Sequence, residues 1–105
     1  MDIKFSSEGV ILEAKLFGEL DHHSARAARE KTDMMINCGV YDRLILDFTG
    51  LTFMDSSGIS FIMGRVKLLA PLGGRVTVIT SDEKISRIIK LSGIGKYADL
   101  EEREV

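Results

Sequence analysis

The spacing of apolar residues switches repeatedly between a strand-like and a helix-like period along the chain. Two β-prone segments come first, Ile3 to Phe5 and Val10 to Phe17. Between them, Ser6-Ser7-Glu8-Gly9 is typical of a hairpin turn, and Gly18 is expected to end the second segment. The chain is therefore expected to begin with an antiparallel pair of strands.

The first helix is expected to start at a cap provided by Asp21 or Ser24. It should close at Asn37 to Gly39, where Gly39 suits the left-handed conformation of a helix end. Its core-facing side is predicted from positions at helical spacing, which are Ala25, Ala28, Thr32, Met35 and Ile36.

Two later runs predict buried strands, Arg43 to Phe48 and Arg75 to Thr80, because both are short and rich in branched apolar residues. A helix is expected between them, from about Ser57 to Ala70, and Pro71 with the glycines that follow should stop it. Its apolar residues recur at helical spacing, at Ile59, Ile62, Met63, Val66 and Leu69.

The last third of the chain predicts one more helix and one more strand. The helix is expected to begin at Ser81 or Asp82 and to end at Ser92-Gly93-Ile94-Gly95. Tyr97 to Leu100 predicts a short final strand, and the polar stretch from Glu101 to Val105 is expected to fray.

Strands that alternate with helices favour right-handed crossovers and a largely parallel sheet. The predicted fold class is therefore α/β. We expect a mixed, mostly parallel sheet of about five strands, with an N-terminal antiparallel hairpin and helices packed on it. A length of 105 residues predicts a single domain over residues 1–105.

Composition narrows the class of partner. Fourteen basic and sixteen acidic residues give a net charge of -2, which disfavours nucleic acid or an anionic membrane surface as the main partner. No apolar run approaches the roughly 20 residues that span a bilayer, and the start at Met1 lacks the features of a signal peptide. A lone Cys38 suits a reducing compartment, so a cytoplasmic location is expected.

The candidate chemistry centres on Phe53-Met54-Asp55-Ser56-Ser57-Gly58, a strand-to-helix junction of the kind that carries binding sites in α/β domains. Position alone leaves either serine as a phosphoacceptor, or one as a helix cap and the other as a solvated side chain. Asp55 is able to supply the cap and so free both hydroxyls. A phosphate carries about -1.5 to -2 charges. The helix dipole offsets only about 0.3–1 kcal/mol, so a phosphate is expected to act on a partner surface and to leave the fold unchanged.

A serine hydrolase site and a metal site fit the sequence less well. A serine hydrolase needs an oriented base and a Gly-x-Ser-x-Gly elbow, whereas this chain has Asp-Ser-Ser-Gly and places His22 and His23 at another junction. That hypothesis holds only if an imidazole reaches Ser56 or Ser57. No metal site is predicted, because the two histidines are adjacent and Cys38 has no second thiol.

Two further patterns have structural interpretations. Asp21, Asp47 and Asp55 all follow predicted strands and resemble the acidic pocket of a receiver domain, but turn and cap roles explain them without the paired acids of that family. Gly93-Ile94-Gly95-Lys96 resembles part of a phosphate loop, yet Tyr97 replaces the required hydroxyl residue. A helix-ending turn is the preferred interpretation there.

The helix after Ser57 has a second stripe beside its core face, formed by Phe61, Arg65 and Leu68. Phe61 either completes the core or, if exposed, forms a docking patch for a partner beside the serines. Gly64 in the same helix either allows another backbone to approach closely or serves packing within the chain.

Two motifs in order along the chain carry a family resemblance. Gly18-Glu19-Leu20-Asp21-His22-His23-Ser24-Ala25 and Phe53-Met54-Asp55-Ser56-Ser57-Gly58, followed by Gly64-Arg65, closely resemble the anti-sigma factor antagonists of the STAS domain family. The nearest match is the sporulation stage II AA type, and the likeness runs from about Val10 to Gly95.

The resemblance implies a STAS fold and a non-enzymatic regulator of transcription that works by partner switching. The unphosphorylated form binds an anti-sigma factor that is also a GHKL-type serine kinase, and the sigma factor is released. The kinase supplies its own ATP, so no cofactor is expected in this chain, and it phosphorylates Ser57. A PP2C-type phosphatase reverses the modification. A STAS scaffold or small-ligand-binding module without a phospho-switch is the alternative.

The resemblance also implies a partner-binding surface around the two motifs. The residues expected in it are Gly18, Glu19, Asp21, His22, His23, Asp55, Ser56, Ser57, Gly58, Phe61 and Arg65.

Overall fold

A computed structural model describes residues 1–104 of the chain. The sheet strands, in chain order, are β1 Asp2–Glu8, β2 Ile11–Leu20, β3 Arg43–Met54, β4 Arg75–Thr80 and β5 Asp99–Glu102. The helices are α1 Ala25–Asn37, α2 Ser56–Leu69 and α3 Glu83–Leu91, with short 3-10 turns at Ala70–Leu72 and Ile94–Lys96.

The five strands lie side by side in chain order. β1 and β2 pair antiparallel, whereas every other neighbouring pair is parallel. The parallel connections all step in one direction along the sheet, so the right-handed rule for such crossovers places α1, α2 and α3 on the same face. Residues of all three helices accordingly share one core cluster. The predicted mixed, mostly parallel sheet with an N-terminal hairpin is confirmed.

The core lies between this helical layer and the sheet. Alternate residues of β2 point into it, so Leu12, Ala14 and Leu16 are fully buried. The opposite face carries charged side chains, and Lys15 of β2 stands beside Asp47 of β3 there. Along residues 1–104, each helix is too short or too polar to cross a lipid bilayer.

The N-terminal hairpin is longer than predicted. Ser6 to Glu8 belong to β1, and the chain turns at Gly9 and Val10, with Gly9 at φ 59°. The expectation that Gly18 ends β2 is also wrong. Gly18 lies within the strand at φ 98°, beside an irregularity in the pairing with β3. Glycine tolerates this conformation because it has no Cβ.

The end of α1 departs from the sequence prediction as well. Cys38 is the C-cap, and Gly39 is not left-handed. A Cβ at Gly39 would come within 2.6 Å of the Tyr41 ring, so close approach explains this glycine.

Two strands extend beyond their predicted ends. β3 continues to Met54, because its second half pairs with the end of β2. β5 covers Asp99–Glu102, so Glu101 and Glu102 are in the sheet where fraying was expected. Residues 103–104 follow it, and the part of that prediction that concerns Val105 lies outside the described residues.

Candidate functional site

The two sequence motifs meet at one edge of the sheet. Leu20 at the end of β2 pairs with Met54 at the end of β3, and the Asp55 N–H donates to the Leu20 carbonyl at 3.3 Å. The strands are parallel, so the loops that follow them leave the sheet side by side. The structure therefore brings the Asp21–Ser24 loop next to the serine junction.

Asp55 caps α2, which is the alternative that frees both serine hydroxyls. Its Oδ1 accepts the Ser57 N–H at 2.8 Å, and its backbone carbonyl accepts the Gly58 N–H at 3.0 Å. The carboxylate thus takes the role that would otherwise occupy a serine hydroxyl. Neither serine hydroxyl is therefore needed as the cap. Ser56 is exposed and Ser57 is half-buried.

Asp21 organises the neighbouring loop. Its Oδ1 accepts the N–H groups of Ser24 at 2.9 Å and His23 at 3.0 Å. These bonds favour the charged carboxylate, and the bond from the Ser24 N–H is the largest cause that lowers the pKa of Asp21. Ser24 is the N-cap of α1, but its hydroxyl donates to the Glu19 carbonyl at 2.7 Å. The loop that exposes His22 and His23 is therefore fixed at both ends.

A cavity of about 300 Å³ lies between α1 and the start of α2. Two arginines and a histidine stand around it, and no carboxylate belongs to its described lining. The lining residues are His22, Ala25, Arg26, Arg29, Ser57, Ser60 and Phe61. Ser57 therefore sits in a basic groove, although the whole chain has a net charge of -2.

Sequence reasoning missed Arg26 and Arg29. Both are exposed on α1, and Arg26 forms an ion pair with Glu30 at 3.1 Å. Their spacing of three residues, with Asp33 four further on, places all three along one side of the helix. This stripe of charged residues is visible in the sequence, but the sequence alone does not indicate that it faces α2.

Arg65 and Asp33 join the two helices deeper in the structure. The Arg65 Nε lies 2.8 Å from Asp33 Oδ1, and Nη2 donates to Oδ2 at 3.3 Å. The guanidinium also lies 5.2 Å from the centre of the Phe61 ring. Burial lowers the pKa of Arg65, against the opposing effect of Asp33.

These contacts decide between the two alternatives for the second stripe of α2. Phe61 is 3% exposed and Arg65 is 4% exposed, because both pack between the helices. Phe61 completes the core and only borders the cavity beside Ser57. Neither side chain projects towards a partner in this conformation.

The remaining predicted partner residues divide by exposure. Glu19, His22 and His23 are exposed, whereas Gly58 is buried against the Met54 side chain. Phe53, which was not assigned to the partner surface, is 47% exposed and pairs with Glu19 across the strands. An exposed aromatic side chain at this edge is a feature of protein-binding surfaces.

The hydrolase hypothesis gains no geometric support. His22 lines the same cavity as Ser57. However, within residues 1–104 no hydrogen bond joins its imidazole to either serine or to a carboxylate, so the oriented base of such an enzyme is not formed.

Comparison with known proteins identifies relatives over almost the whole chain. The STAS domain family matches residues 4–104. An anti-sigma F factor antagonist of Lysinibacillus sphaericus is 35% identical over 79% of this chain and 71% of its own length. A protein of the same name in Paenibacillus polymyxa is 32% identical over 100% of this chain and 90% of its own.

Solved structures agree with the sequence relatives. The anti-sigma factor antagonist SpoIIAA in its unphosphorylated form superposes with a TM-score of 0.83 at 28% identity, over 97% of this chain and 88% of that protein. SpoIIAA of Bacillus in its phosphorylated form gives a TM-score of 0.74 at the same identity, over 97% of this chain and 91% of that one. The fold found here is thus shared with a protein known in both states.

Proposed function

This chain belongs to the STAS domain family, and we propose that it is an anti-sigma factor antagonist that phosphorylation of Ser57 switches off. Its unphosphorylated form binds an anti-sigma factor and so releases the sigma factor. The names of the two relatives favour a partner of the anti-sigma F type. The comparison with SpoIIAA in two phosphorylation states supports a switch of this kind.

The partner, in this proposal, is also the kinase. A GHKL-type anti-sigma factor carries the ATP and transfers its γ-phosphoryl group to Ser57, and a PP2C-type phosphatase removes it. This chain then needs no cofactor and catalyses no step, and it works in the cytoplasm.

The capping by Asp55 is the observation that carries the proposal. Its carboxylate satisfies the Ser57 N–H, so the hydroxyl of Ser57 has no structural bond to lose when it is esterified. A hydroxyl that caps a helix typically stabilises it by about 1 kcal/mol, and its modification would disturb the fold. Phosphorylation of Ser57 therefore removes no hydrogen bond that stabilises the fold.

The exposed residues around the serines support a partner surface at the same edge. Glu19, His22, Phe53 and Ser56 are all exposed there. Association would desolvate this surface, and the removal of a phosphate dianion from water costs several kcal/mol. Each 1.4 kcal/mol is tenfold in affinity, so one phosphate is expected to weaken the complex roughly a thousandfold.

The test uses purified chain, the anti-sigma kinase encoded nearby in the genome, and ATP. Mass spectrometry of the wild type should place one phosphate on Ser57. Ser57→Ala should bind the kinase and accept no phosphate, whereas the matched control Ser56→Ala should be phosphorylated as the wild type is. Phosphate on Ser57→Ala at the wild-type rate would refute the assignment.

A second candidate function is a ligand-binding STAS module without a switch. The observation that favours it is a cavity of about 450 Å³ between α3 and β5, which combines apolar walls at Ile94 and Leu100 with the charged side chains of Lys90, Lys96 and Asp99. Lys90 also forms an ion pair with Glu102. Such a module would bind a small, largely apolar ligand and ignore the kinase. Kinase binding that is abolished by phosphorylation at Ser57 would reject it as the main function.

A further inference from the structure

The groove beside Ser57 has the chemistry of an anion site. Arg29 lines it, and no ion pair to Arg29 occurs within residues 1–104. Arg26 lines it too, and its bond to Glu30 is between side chains that are 80% and 62% exposed. Exposed pairs of this kind contribute only about 0–1 kcal/mol, so Arg26 is readily redirected to a stronger partner.

A third arginine lies beneath the groove and is paired with a carboxylate outside it. Arg65 is buried behind Phe61, and the charge of Arg29 further lowers its pKa. The Arg65 Nη1 makes no hydrogen bond in the described chain. Its one carboxylate partner, Asp33, lies one turn beyond Arg29 on α1 and outside the lining of the groove.

The two carboxylates near this site already accept hydrogen bonds from backbone N–H groups. Asp55 directs Oδ1 to the Ser57 N–H, and Asp21 directs Oδ1 to the N–H groups of its own loop. A phosphoryl group on Ser57 would therefore be attracted by two guanidinium groups within the groove, with the Ser60 hydroxyl one turn along α2 as a further donor.

We infer that this groove is an intramolecular phosphate clamp, in which Arg26 and Arg29 of α1 hold the phosphoryl group that Ser57 carries on α2. This inference rests on the proposed modification of Ser57 and describes how the modified chain holds the phosphoryl group. Two arginines nearly neutralise a group of about -1.5 to -2 charges.

The clamp has a consequence for partner release. In the unphosphorylated chain the groove is positive and open, whereas in the phosphorylated chain it is filled and close to neutral. A partner that uses the groove must then displace a phosphate from two charge-assisted contacts, or bury it with them. The clamp thus stabilises the free, switched-off form.

The decisive experiment installs phosphoserine at position 57 during translation, so that no kinase is required. The second ionisation of the phosphate is followed by phosphorus NMR as a function of pH at low salt. A free phosphoserine has this pKa near 6, and two close cations should lower it by about one unit or more. The double variant R26Q/R29Q should raise it towards the value of a phosphoserine peptide.

Arg87 provides the matched control. It is exposed on α3 and lines a different cavity, so R87Q should leave the phosphate titration as in the wild type. Far-ultraviolet circular dichroism and thermal unfolding of all the variants establish that each is folded. The single variant R29Q should shift the titration more than R26Q, since Arg26 divides its charge with Glu30.

The inference is overturned if the phosphate titrates alike in the wild type and in R26Q/R29Q. It is also overturned if the double variant loses affinity for the kinase while the titration is unchanged, because the arginines then serve the partner alone. Failure of the kinase to modify Ser57 would refute the proposed function, but it would not alter the titration of the installed phosphoserine.

Discussion

The three aspartates around this site have different structural roles. Asp55 accepts the Ser57 N–H, Asp21 fixes the loop beside it, and Asp33 neutralises a buried arginine. Their common charge is a poor guide to these roles, because each role is set by the donor that faces the carboxylate. The turn and cap roles that the sequence favoured for Asp21 and Asp55, in place of an acidic pocket, are confirmed by these hydrogen bonds.

The pairing of Arg65 with Asp33 predicts an asymmetric response to mutation. The Arg65 side chain is 5% exposed and that of Asp33 is 31% exposed. Asp33→Ala leaves a buried cation without its carboxylate and should lower the free energy of unfolding by about 3 kcal/mol. Arg65→Met leaves a carboxylate that water reaches, and should cost about 1 kcal/mol.

Urea unfolding of the two single variants and of the double variant D33A/R65M measures this coupling. The double variant should be more stable than Asp33→Ala, because the uncompensated charge is gone. Equal losses in the two single variants would show that the pair behaves as an exposed ion pair, contrary to its burial.

At the scale of elements, periodicity predicted the order of strands and helices but missed bounds that tertiary pairing sets. β4 matches its prediction at Arg75–Thr80, since its apolar run has clear limits. β3 was expected to end at Phe48 but continues to Met54. In the fold, a Cβ at Gly50 would lie 2.7 Å from the Leu16 carbonyl oxygen, so this glycine lets β2 and β3 approach.

Only part of the candidate site could be predicted from the sequence. The serine junction and the loop of His22 and His23 were visible as motifs, and their adjacency follows from parallel strands. The basic side of the groove was not visible. Arg26 and Arg29 matter through the packing of α1 on α2, which one sequence does not reveal.

Helix α2 offers two glycines whose replacement should have opposite effects. A Cβ at Gly58 would overlap the side chain of Met54, which is buried at the end of β3. Gly58→Ala should therefore push the start of α2 from the sheet and lower the free energy of unfolding by about 1–3 kcal/mol. A Cβ at Gly64 would meet nothing within 4 Å, so Gly64→Ala should raise that free energy by about 1 kcal/mol.

The two variants are compared by urea unfolding and by binding to the kinase. Gly64→Ala also tests whether a partner backbone approaches α2 at this point. Greater stability together with weaker binding would indicate such an approach, whereas unchanged binding would place the partner at the serine end alone. A destabilised Gly64→Ala would contradict the open space found there.

On the scale of the whole molecule, all helices lie on one face of the sheet, and the site lies where two crossovers begin. Phosphorylation of Ser57 would therefore change charge at an edge of the fold and leave the core between sheet and helices untouched. Asp55 already satisfies the first turn of α2, and the helix dipole is worth only about 0.3–1 kcal/mol to an added anion. Stability and partner affinity should consequently respond very differently to one phosphate.

We expect the chain with phosphoserine at position 57 to unfold in urea with a free energy within about 1 kcal/mol of the unmodified chain. Calorimetry with the kinase should show affinity reduced roughly a thousandfold, or about 4 kcal/mol. Installing phosphoserine at position 56 gives the matched control, because Ser56 is exposed and is not part of the groove lining. A loss of affinity that is matched by an equal loss of stability would mean that the phosphate acts by unfolding the chain. Affinity that survives modification at 57 but not at 56 would transfer the switch to the first serine.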